Sequence, residues 1–314
     1  MKQKFYLWVE EYLFFPNSFQ KLISFLLLPL TFLYMLIILI KRTKARESDF
    51  EIPVISVGNL IVGGSGKTPI TIKLASKYEN PCIILRGYGR ASKGLYVISQ
   101  NGKVLEDIQT SGDEAMLLAN SLPNASVIVS ENRVEAIKKA KELGCKIVFL
   151  DDGFSKYNIK KFNILLRPKK EPTNFFCLPS GGYREPKGMY FYADLELQEG
   201  KDFFRIITIK KDNKEAVLPK KTVLLTAISK PNRLLEFLPE GTKMISFPDH
   251  HTFTKEDIES ISVTYEDYAI VTTGKDLVKL KKFKVRNLYL MDLDIKIDEN
   301  VDFSIMSEYI KDYE

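Results

Sequence analysis

A glycine-rich segment followed by a Lys-Thr pair has the residue types of a phosphate-binding loop. Residues 53–57 form a short apolar run that predicts a strand, and residues 68–77 predict a helix. Between them lie three closely spaced glycines and Lys67. In such a strand–loop–helix unit, backbone N–H groups and the positive end of the helix bind phosphate oxygens. Lys67 would contact the β- and γ-phosphates of a nucleotide, and the hydroxyl of Thr68 would bind Mg²⁺.

The candidate nucleotide-binding residues of this loop are Ile61, Val62, Gly63, Gly64, Ser65, Gly66, Lys67 and Thr68. The standard phosphate-loop pattern has a glycine at the position of Ile61, so the match is incomplete. The alternative is a glycine-rich connection that binds no ligand. The Gly-Lys-Thr sequence before a predicted helix favours phosphate binding.

Two carboxylates, Asp151 and Asp152, follow the predicted strand at residues 146–150. In P-loop proteins an aspartate at the end of such a strand binds Mg²⁺, directly or through water. Solvated side chains at a strand end are the alternative. The phosphate-binding loop upstream favours a metal site.

A second acidic pair, Asp113 and Glu114, precedes an apolar segment that predicts a helix over residues 113–120. Ser111 and Glu114 have the spacing of a capping box, in which case these side chains only stabilise the start of the helix. Asp113 is not needed for that box. It could therefore accept the proton of an attacking hydroxyl group, as the base of a kinase does.

Three further features could contribute to a site. His250 and His251 are the only histidines; such a pair is often inert at a surface, but one of them could orient a carboxylate base. Arg184 lies in a loop rich in proline and glycine, residues 167–188, where it could bind phosphate or remain solvated. Tyr88 follows a predicted strand, at the edge where parallel sheets bind ligands.

Composition limits the classes of function. The net charge of +6 suits an anionic substrate or an anionic membrane surface. The sequence has no zinc-finger or RNA-recognition signature, so no nucleic-acid partner is expected, and nothing indicates an obligate protein partner. The three cysteines are widely spaced and fit a reducing cytosol.

An uncharged apolar segment, residues 22–40, lies near the N-terminus. As one helix it would be about 28 Å long, close to the thickness of a bilayer core, with a kink near Pro29. The basic residues that follow it are Lys41, Arg42, Lys44 and Arg46. They predict membrane attachment with the rest of the chain in the cytoplasm, and a membrane span is favoured over a helix lying flat.

The rest of the chain alternates predicted strands and helices, which indicates parallel sheets covered by helices. The predicted fold class is α/β. It comprises an N-terminal hydrophobic membrane helix in residues 1–46, a P-loop NTPase-like α/β/α domain in 47–211 and a smaller C-terminal α/β domain in 212–314. Residues 96–105 predict a β-hairpin turned by Asn101-Gly102, and residues 212–221 predict a linker.

Seven short motifs, in this order, resemble the tetraacyldisaccharide 4′-kinase family, the lipid A 4′-kinases, over nearly the whole chain. They are Ser56–Asn59 with Gly63–Pro69, Arg86–Gly89, Gly112–Glu114, Leu150–Phe154, Leu178–Pro186, Asp249–His251 and Thr272–Asp276.

The resemblance implies phosphorylation of the 4′-hydroxyl of a tetraacyl disaccharide 1-phosphate, with ATP and Mg²⁺, at the cytoplasmic face of the inner membrane. It also implies two α/β/α domains joined by a short β linker, with the substrates in the cleft between them.

The resemblance also implies roles for individual residues. Asp113 is the expected base, and His250 its tuning partner, because the family often has tyrosine at the position of His251. The expected roles of the others are catalysis for Lys67, metal binding for Thr68, Asp151, Asp152 and Glu114, and substrate binding for Asn59, Tyr88, Arg184 and Glu185.

This chain departs from the family pattern at three positions. Ile61 replaces a usual threonine or serine, Ser155 a usual glutamine, and Gly274 a usual glutamate. The family's loop also lacks the first glycine of the standard pattern, so Ile61 is compatible with nucleotide binding. None of the three lies on a residue expected to transfer phosphate.

Two other classes of protein are alternatives. The first is a membrane-attached P-loop switch or ATPase that acts on a protein partner, although residues 273–276 lack the spacing of a guanine-reading motif. ATP hydrolysis without any lipid would indicate that class. The second is an inactive membrane scaffold, which the joint presence of Lys67, Thr68, Asp113 and Asp152 disfavours.

Overall fold

The computed structural model describes residues 2–63, 66–228, 231–249 and 251–314, and side chains from residue 8 onward within them, together with that of Phe5. The chain forms two compact units. The first comprises Met1–Thr71, Lys146–Phe204 and Ile297–Glu314, and the second comprises Ile72–Cys145 and Arg205–Lys296. The domain boundaries expected from the sequence stay a prediction.

Four parallel strands form the sheet of the first unit. They are β1 (Val54–Asn59), β6 (Ile147–Asp151), β7 (Phe162–Arg167) and β8 (Leu195–Gln198), in the order β6-β1-β7-β8. Every residue of β1 and β6 is buried, as expected for parallel strands covered on both faces. Val57 pairs with Asp151, so the carboxyl ends of β1 and β6 lie side by side.

Helices of the first unit follow from local sequence. Helix α4 (Lys67–Ala75) begins after the glycine-rich loop, and α10 (Ser304–Lys311) packs through Tyr309 on Phe162. A 3₁₀ helix spans Lys187–Tyr192. The sequence predicted β1 and β6 but missed β8 and α10.

The N-terminal segment forms three helices, α1 (Lys2–Phe14), α2 (Ser18–Leu26) and α3 (Leu28–Lys44). The expected single helix over residues 22–40 is therefore wrong. The break falls just before Pro29, which lacks the N–H group that would continue α2 and which sits in the first turn of α3. Among the described residues no single helix is long and apolar enough to cross a membrane, but α2 and α3 together pass that test with a bend of 57°.

The three helices pack on the loop that carries Arg184. The hydroxyl of Tyr34 donates a hydrogen bond to the Arg184 carbonyl oxygen at 2.7 Å, and that of Thr31 donates to Ser180 at 2.7 Å. Gly182 lies so close to α1 that a Cβ atom there would come within 2.5 Å of the Phe14 ring. The N-terminal segment is thus part of the first unit and supports its longest loop.

The second unit contains two sheets. The first sheet has the order β4-β3-β5-β2, in which β2 (Pro81–Leu85) and β5 (Ser126–Val129) are parallel. Strands β3 (Tyr96–Gln100) and β4 (Lys103–Val104) form the predicted hairpin. Its helices are α5 (Ile108–Ser111), α6 (Asp113–Ser121) and α7 (Arg133–Glu142).

The second sheet has the order β10-β9-β14-β13-β11-β12. Its strands are β9 (Phe203–Lys211), β10 (Lys214–Glu215), β11 (Thr222–Thr226), β12 (Lys243–Ser246), β13 (Ala269–Thr273) and β14 (Leu288–Ile297), and its helices are α8 (Lys255–Thr264), α9 (Gly274–Leu280) and a 3₁₀ helix, Pro231–Phe237. The predicted linker over residues 212–221 contains the short strand β10. Asp212 and Asn213 adopt positive φ and turn the chain into β10, which pairs with β9.

Candidate active site

The glycine-rich loop joins the end of β1 to the start of α4. Gly63 and Gly66 adopt φ values of 100° and 84°, which other residues rarely adopt. Gly64 and Ser65 lie outside the described residues. Lys67 and Thr68 form the first turn of α4, the position from which a P-loop lysine and hydroxyl serve phosphate and Mg²⁺.

Ile61 and Val62 begin the loop in an extended form that is paired with the Arg184 loop. The Val62 N–H donates to the Gly182 carbonyl oxygen at 2.9 Å, and Ile61 forms a bridge with Tyr183. The Ile61 side chain is buried in an apolar cluster with Leu60 and Phe154. A large apolar residue fits here because this part of the loop packs into the core.

Asn59 and Asp152 surround the ammonium group of Lys67. The Asn59 amide donates to the Ile61 carbonyl oxygen at 2.8 Å, which turns its own oxygen toward Lys67. Lys67 Nζ donates to that oxygen at 3.0 Å and lies 3.8 Å from the Asp152 carboxylate. The lysine is thereby held at the end of the sheet.

Arg184 is held in place by several contacts and is not a solvated loop residue. Its guanidinium forms two hydrogen bonds to the Asp152 carboxylate, at 2.7 and 2.8 Å, and a third to the Asn59 carbonyl oxygen at 2.9 Å. Its backbone N–H donates to the Leu60 carbonyl oxygen at 2.7 Å. This geometry places a second cation beside Lys67.

Thr68 and Asp151 form the part of the site that fits a magnesium ion. The Thr68 hydroxyl donates to the buried Asp151 carboxylate at 2.8 Å. The described residues contain no group of three or more His, Cys, Asp or Glu side chains placed to hold a metal. Mg²⁺ does not need one, because it keeps several water and phosphate ligands and takes only one or two from protein. Asp152 follows with φ of 62°, so the two aspartates point their side chains differently.

Glu185 is a buried carboxylate next to Arg184, only 5% exposed. Burial raises the pKa of its carboxyl above the ordinary value, although a hydrogen bond from Tyr157 and the nearby cations Arg42 and Arg184 oppose this. Its Oε2 atom has no hydrogen-bond partner among the described residues. Such a group costs stability and is typical of a functional position.

Asp113 and Glu114 lie in the second unit, at the start of α6. The predicted capping box is wrong: Gly112, with φ of 78°, is the cap residue, and Ser111 ends α5 instead. The Asp113 carboxylate accepts the Glu114 N–H at 2.9 Å, so Asp113 does stabilise the first turn. Glu114 forms an ion pair with Lys275 of α9.

The Asp113 carboxylate also contacts a lysine that the sequence analysis missed. Lys279 Nζ lies 3.2 Å from Asp113 Oδ2, and both side chains are buried. The spacing of Lys275, Asp276 and Lys279 along one short helix was the available signal. Tyr88, by contrast, is 67% exposed beside Gly112, and its ring is accessible to a ligand.

The two histidines are described unequally. His250, the expected partner of Asp113, lies outside the described residues. His251 stacks on Phe247 and its Nε2 lies 3.0 Å from Asp257, a residue of the capping box that begins α8. His251 therefore has a structural role at the start of that helix.

The chain thus has a mixed α/β fold with parallel sheets, and strand ends of its first unit carry the described part of a glycine-rich loop, an adjacent Lys-Thr pair and two aspartates. The family model of tetraacyldisaccharide-1-P 4′-kinase (LpxK) matches residues 23–310. The chain belongs to this family.

Individual relatives agree with the family match. The chain is 71% identical to a tetraacyldisaccharide 4′-kinase of Aliarcobacter butzleri, with both chains covered completely. It is 47% identical to one of Helicobacter acinonychis, over 93% of this chain and 92% of that one. The crystal structure of LpxK from Aquifex aeolicus in complex with ATP is similar with a TM-score of 0.74 and 30% identity, over 93% of this chain and 99% of that chain.

We predict that Glu185→Gln stabilises the protein at neutral pH and not in acid. A carboxyl whose pKa is raised on folding loses stability as pH rises from its unfolded value, near 4.5, through the folded value. Glutamine cannot ionise, so above that window it avoids the cost of burying a charged carboxylate, and the unfolding midpoint measured by calorimetry should rise there by a few degrees.

Glu171→Gln is the matched control. Burial alone would raise the pKa of Glu171, but hydrogen bonds from Lys187 and Tyr183 outweigh this effect. The pKa of Glu171 is therefore lower than its ordinary value. This carboxylate therefore contributes stability above its unfolded pKa, and its loss should destabilise at neutral pH. A Glu185→Gln effect that is constant from pH 4 to pH 8 would contradict the assignment of a buried, raised carboxyl.

Proposed function

We propose that this chain transfers the γ-phosphate of ATP to the 4′-hydroxyl of a tetraacyl disaccharide 1-phosphate, a step of lipid A biosynthesis. The single observation that carries the proposal is the arrangement of Lys67, Asn59, Asp152 and Arg184 at the end of β1, in a member of this kinase family. It presents two fixed cations where a P-loop protein binds phosphate.

Phosphoryl transfer requires positioning and charge neutralisation more than covalent chemistry by the protein. Lys67 and the backbone of the loop bind the β- and γ-phosphates, and Arg184 adds a planar donor for phosphate or sugar oxygens. Thr68 and Asp151, with Asp152 in support, would hold Mg²⁺, which when bound would neutralise charge on the phosphate oxygens.

Asp113 is the base of the proposed reaction. Its carboxylate accepts the proton of the 4′-hydroxyl while the sugar oxygen forms a bond to the γ-phosphorus. The bond from that phosphorus to the bridging oxygen breaks, and ADP leaves with the electron pair. An aligned aspartate serves this role in other kinases.

We predict that purified protein with Mg²⁺ transfers label from γ-labelled ATP to a tetraacyl disaccharide 1-phosphate in detergent micelles. Asp113→Asn should reduce turnover by about 10²–10⁴-fold, the usual contribution of a general base, with ATP affinity nearly unchanged. Asp107→Asn, which removes an exposed carboxylate that caps α5, is the control and should retain activity.

Two results would contradict this proposal. Hydrolysis of ATP without lipid, and no labelled lipid product, would indicate a P-loop switch or ATPase. Loss of ATP binding in Asp113→Asn would indicate that this residue has a structural or metal-binding role.

We further propose that the protein attaches to the cytoplasmic face of the inner membrane through α2 and α3. Large apolar side chains on these helices are exposed, with Leu26 and Phe32 each 71% exposed. Basic residues end α3 and suit anionic lipid headgroups. The other face of α3 is hydrogen-bonded to the Arg184 loop through Thr31 and Tyr34, which favours a position at the interface over a full span.

We predict that the full-length protein floats with vesicles containing anionic phospholipid and that Phe25→Ser with Phe32→Ser weakens this binding. Val263→Ser, which changes an 80% exposed apolar residue of α8, is the control and should bind normally. Alkaline carbonate should release an interfacial protein from native membranes. Retention after carbonate would indicate a span, and no flotation of the wild type would contradict attachment.

A further inference from the structure

A lysine is buried against the carboxylate proposed as the base. The Lys279 side chain is 6% exposed, and its Nζ lies 3.2 Å from Asp113 Oδ2 and 3.3 Å from Asp276 Oδ1. Removing an ammonium group from water is costly unless carboxylates and hydrogen bonds compensate for it. The two aspartates therefore determine where this buried lysine lies.

Asp276 is the fixed member of this cluster. It is fully buried, and its Oδ2 atom accepts hydrogen bonds from the Thr226 hydroxyl at 2.7 Å, the Thr273 hydroxyl at 2.9 Å and the Ala227 N–H at 3.1 Å. These donors lie at the carboxyl ends of β11 and β13, the buried strands of the second sheet. Asp276 is thus tied to the sheet, and it fixes Lys279 one helical turn later.

Contacts at the start of α6 and with Lys279 determine the orientation of Asp113. Its Oδ1 accepts the Glu114 N–H, and its Oδ2 faces Lys279. Close packing of α9 on α6 supports this contact, since a Cβ atom on Gly274 would lie 3.2 Å from the Leu117 side chain.

We infer that Lys279 is a positioning residue for the reaction, which holds Asp113 oriented to accept the proton, with Asp276 as its anchor. This inference rests on the proposed function, in which Asp113 is the base. Lys279 acts through Asp113 and does not itself contact the substrate.

The presence of two carboxylates has a chemical reason. Before transfer the three side chains carry a net charge of −1, and once Asp113 holds the proton they are neutral. Lys279 keeps Asp276 as a counter-ion throughout, so the buried ammonium is never left unpaired while Asp113 changes its charge. If Asp113 and Lys279 formed a pair alone, the buried ammonium would have no counter-ion once Asp113 had accepted the proton.

The test measures kcat and KM for ATP in the lipid kinase assay with the full-length protein. Lys279→Met should lower kcat by about 10- to 100-fold, as expected for a mis-set base, while KM for ATP changes less than about twofold. Lys279→Arg keeps a cation and should recover part of the loss. Lys281→Met is the matched control, because Lys281 follows α9 and its side chain donates a hydrogen bond to the exposed Asn120.

A double-mutant cycle separates positioning from general damage. Asp113→Glu moves the carboxylate by one methylene and already breaks its contact with Lys279. Adding Lys279→Met to this variant should therefore lower kcat much less than it does in the wild type. Should Lys279→Met fail to fold, Asp276→Asn removes the anchor and should give the same fall in kcat with KM unchanged. Thermal unfolding identifies variants that are only destabilised.

Three outcomes are decisive. Wild-type kcat in Lys279→Met, or a loss that adds fully to that of Asp113→Glu, overturns the inference while the lipid kinase activity stands. A rise in KM for ATP with kcat unchanged also overturns it. Full activity of Asp113→Asn would instead overturn the proposed base, and the inference with it.

Discussion

The ion pair between Arg184 and Asp152 connects the residues of the first unit that we propose bind phosphate. Asp152 follows β6 directly, with a backbone conformation that few non-glycine residues adopt, and the two hydrogen bonds from Arg184 hold its side chain there. Lys67 lies against the same carboxylate and shares Asn59 with Arg184. Two cations are thus held close together at one sheet edge because a carboxylate and an amide lie between them.

The loop that carries Arg184 is held by the N-terminal helices. The Arg184 loop has little regular structure of its own, and it receives hydrogen bonds from Thr31 and Tyr34 of α3. Asn174, buried in that loop, donates to the Tyr12 carbonyl oxygen and to Ser180. In the membrane attachment that we propose, α3 would both contact the lipid surface and support the Arg184 loop.

Much of this arrangement could be predicted because it is local in sequence. The apolar strands 54–57 and 146–150, the glycine-rich loop and the helix after it lie where the pattern placed them, and parallel pairing of the strands then brings Asp151 beside Val57. The standard glycine pattern alone could not predict that isoleucine is acceptable at residue 61. Its acceptability depends on a contact with Tyr183, more than a hundred residues away.

The features that were missed depend on distant contacts. Ser111 and Glu114 have the spacing of a capping box, but Ser111 belongs to a preceding short helix and Glu114 pairs with Lys275. Lys279 is 166 positions from Asp113 (279 minus 113), and no local pattern links them. The sequence predicted only a kink near Pro29 and not a break between two helices. A sequence shows that proline lacks the N–H group, but it does not show the angle between α2 and α3.

Thr68 and Asp151, as we propose, hold Mg²⁺ on the phosphates that Lys67 binds. Titration calorimetry with a non-hydrolysable ATP analogue, with and without Mg²⁺, tests it on the wild type, Thr68→Val and Lys67→Met. We expect the wild type to bind the ATP analogue more tightly with Mg²⁺ than without it. Thr68→Val should lose only this gain in affinity, whereas Lys67→Met should bind the analogue weakly under both conditions. An equal gain from Mg²⁺ in Thr68→Val and the wild type would contradict it.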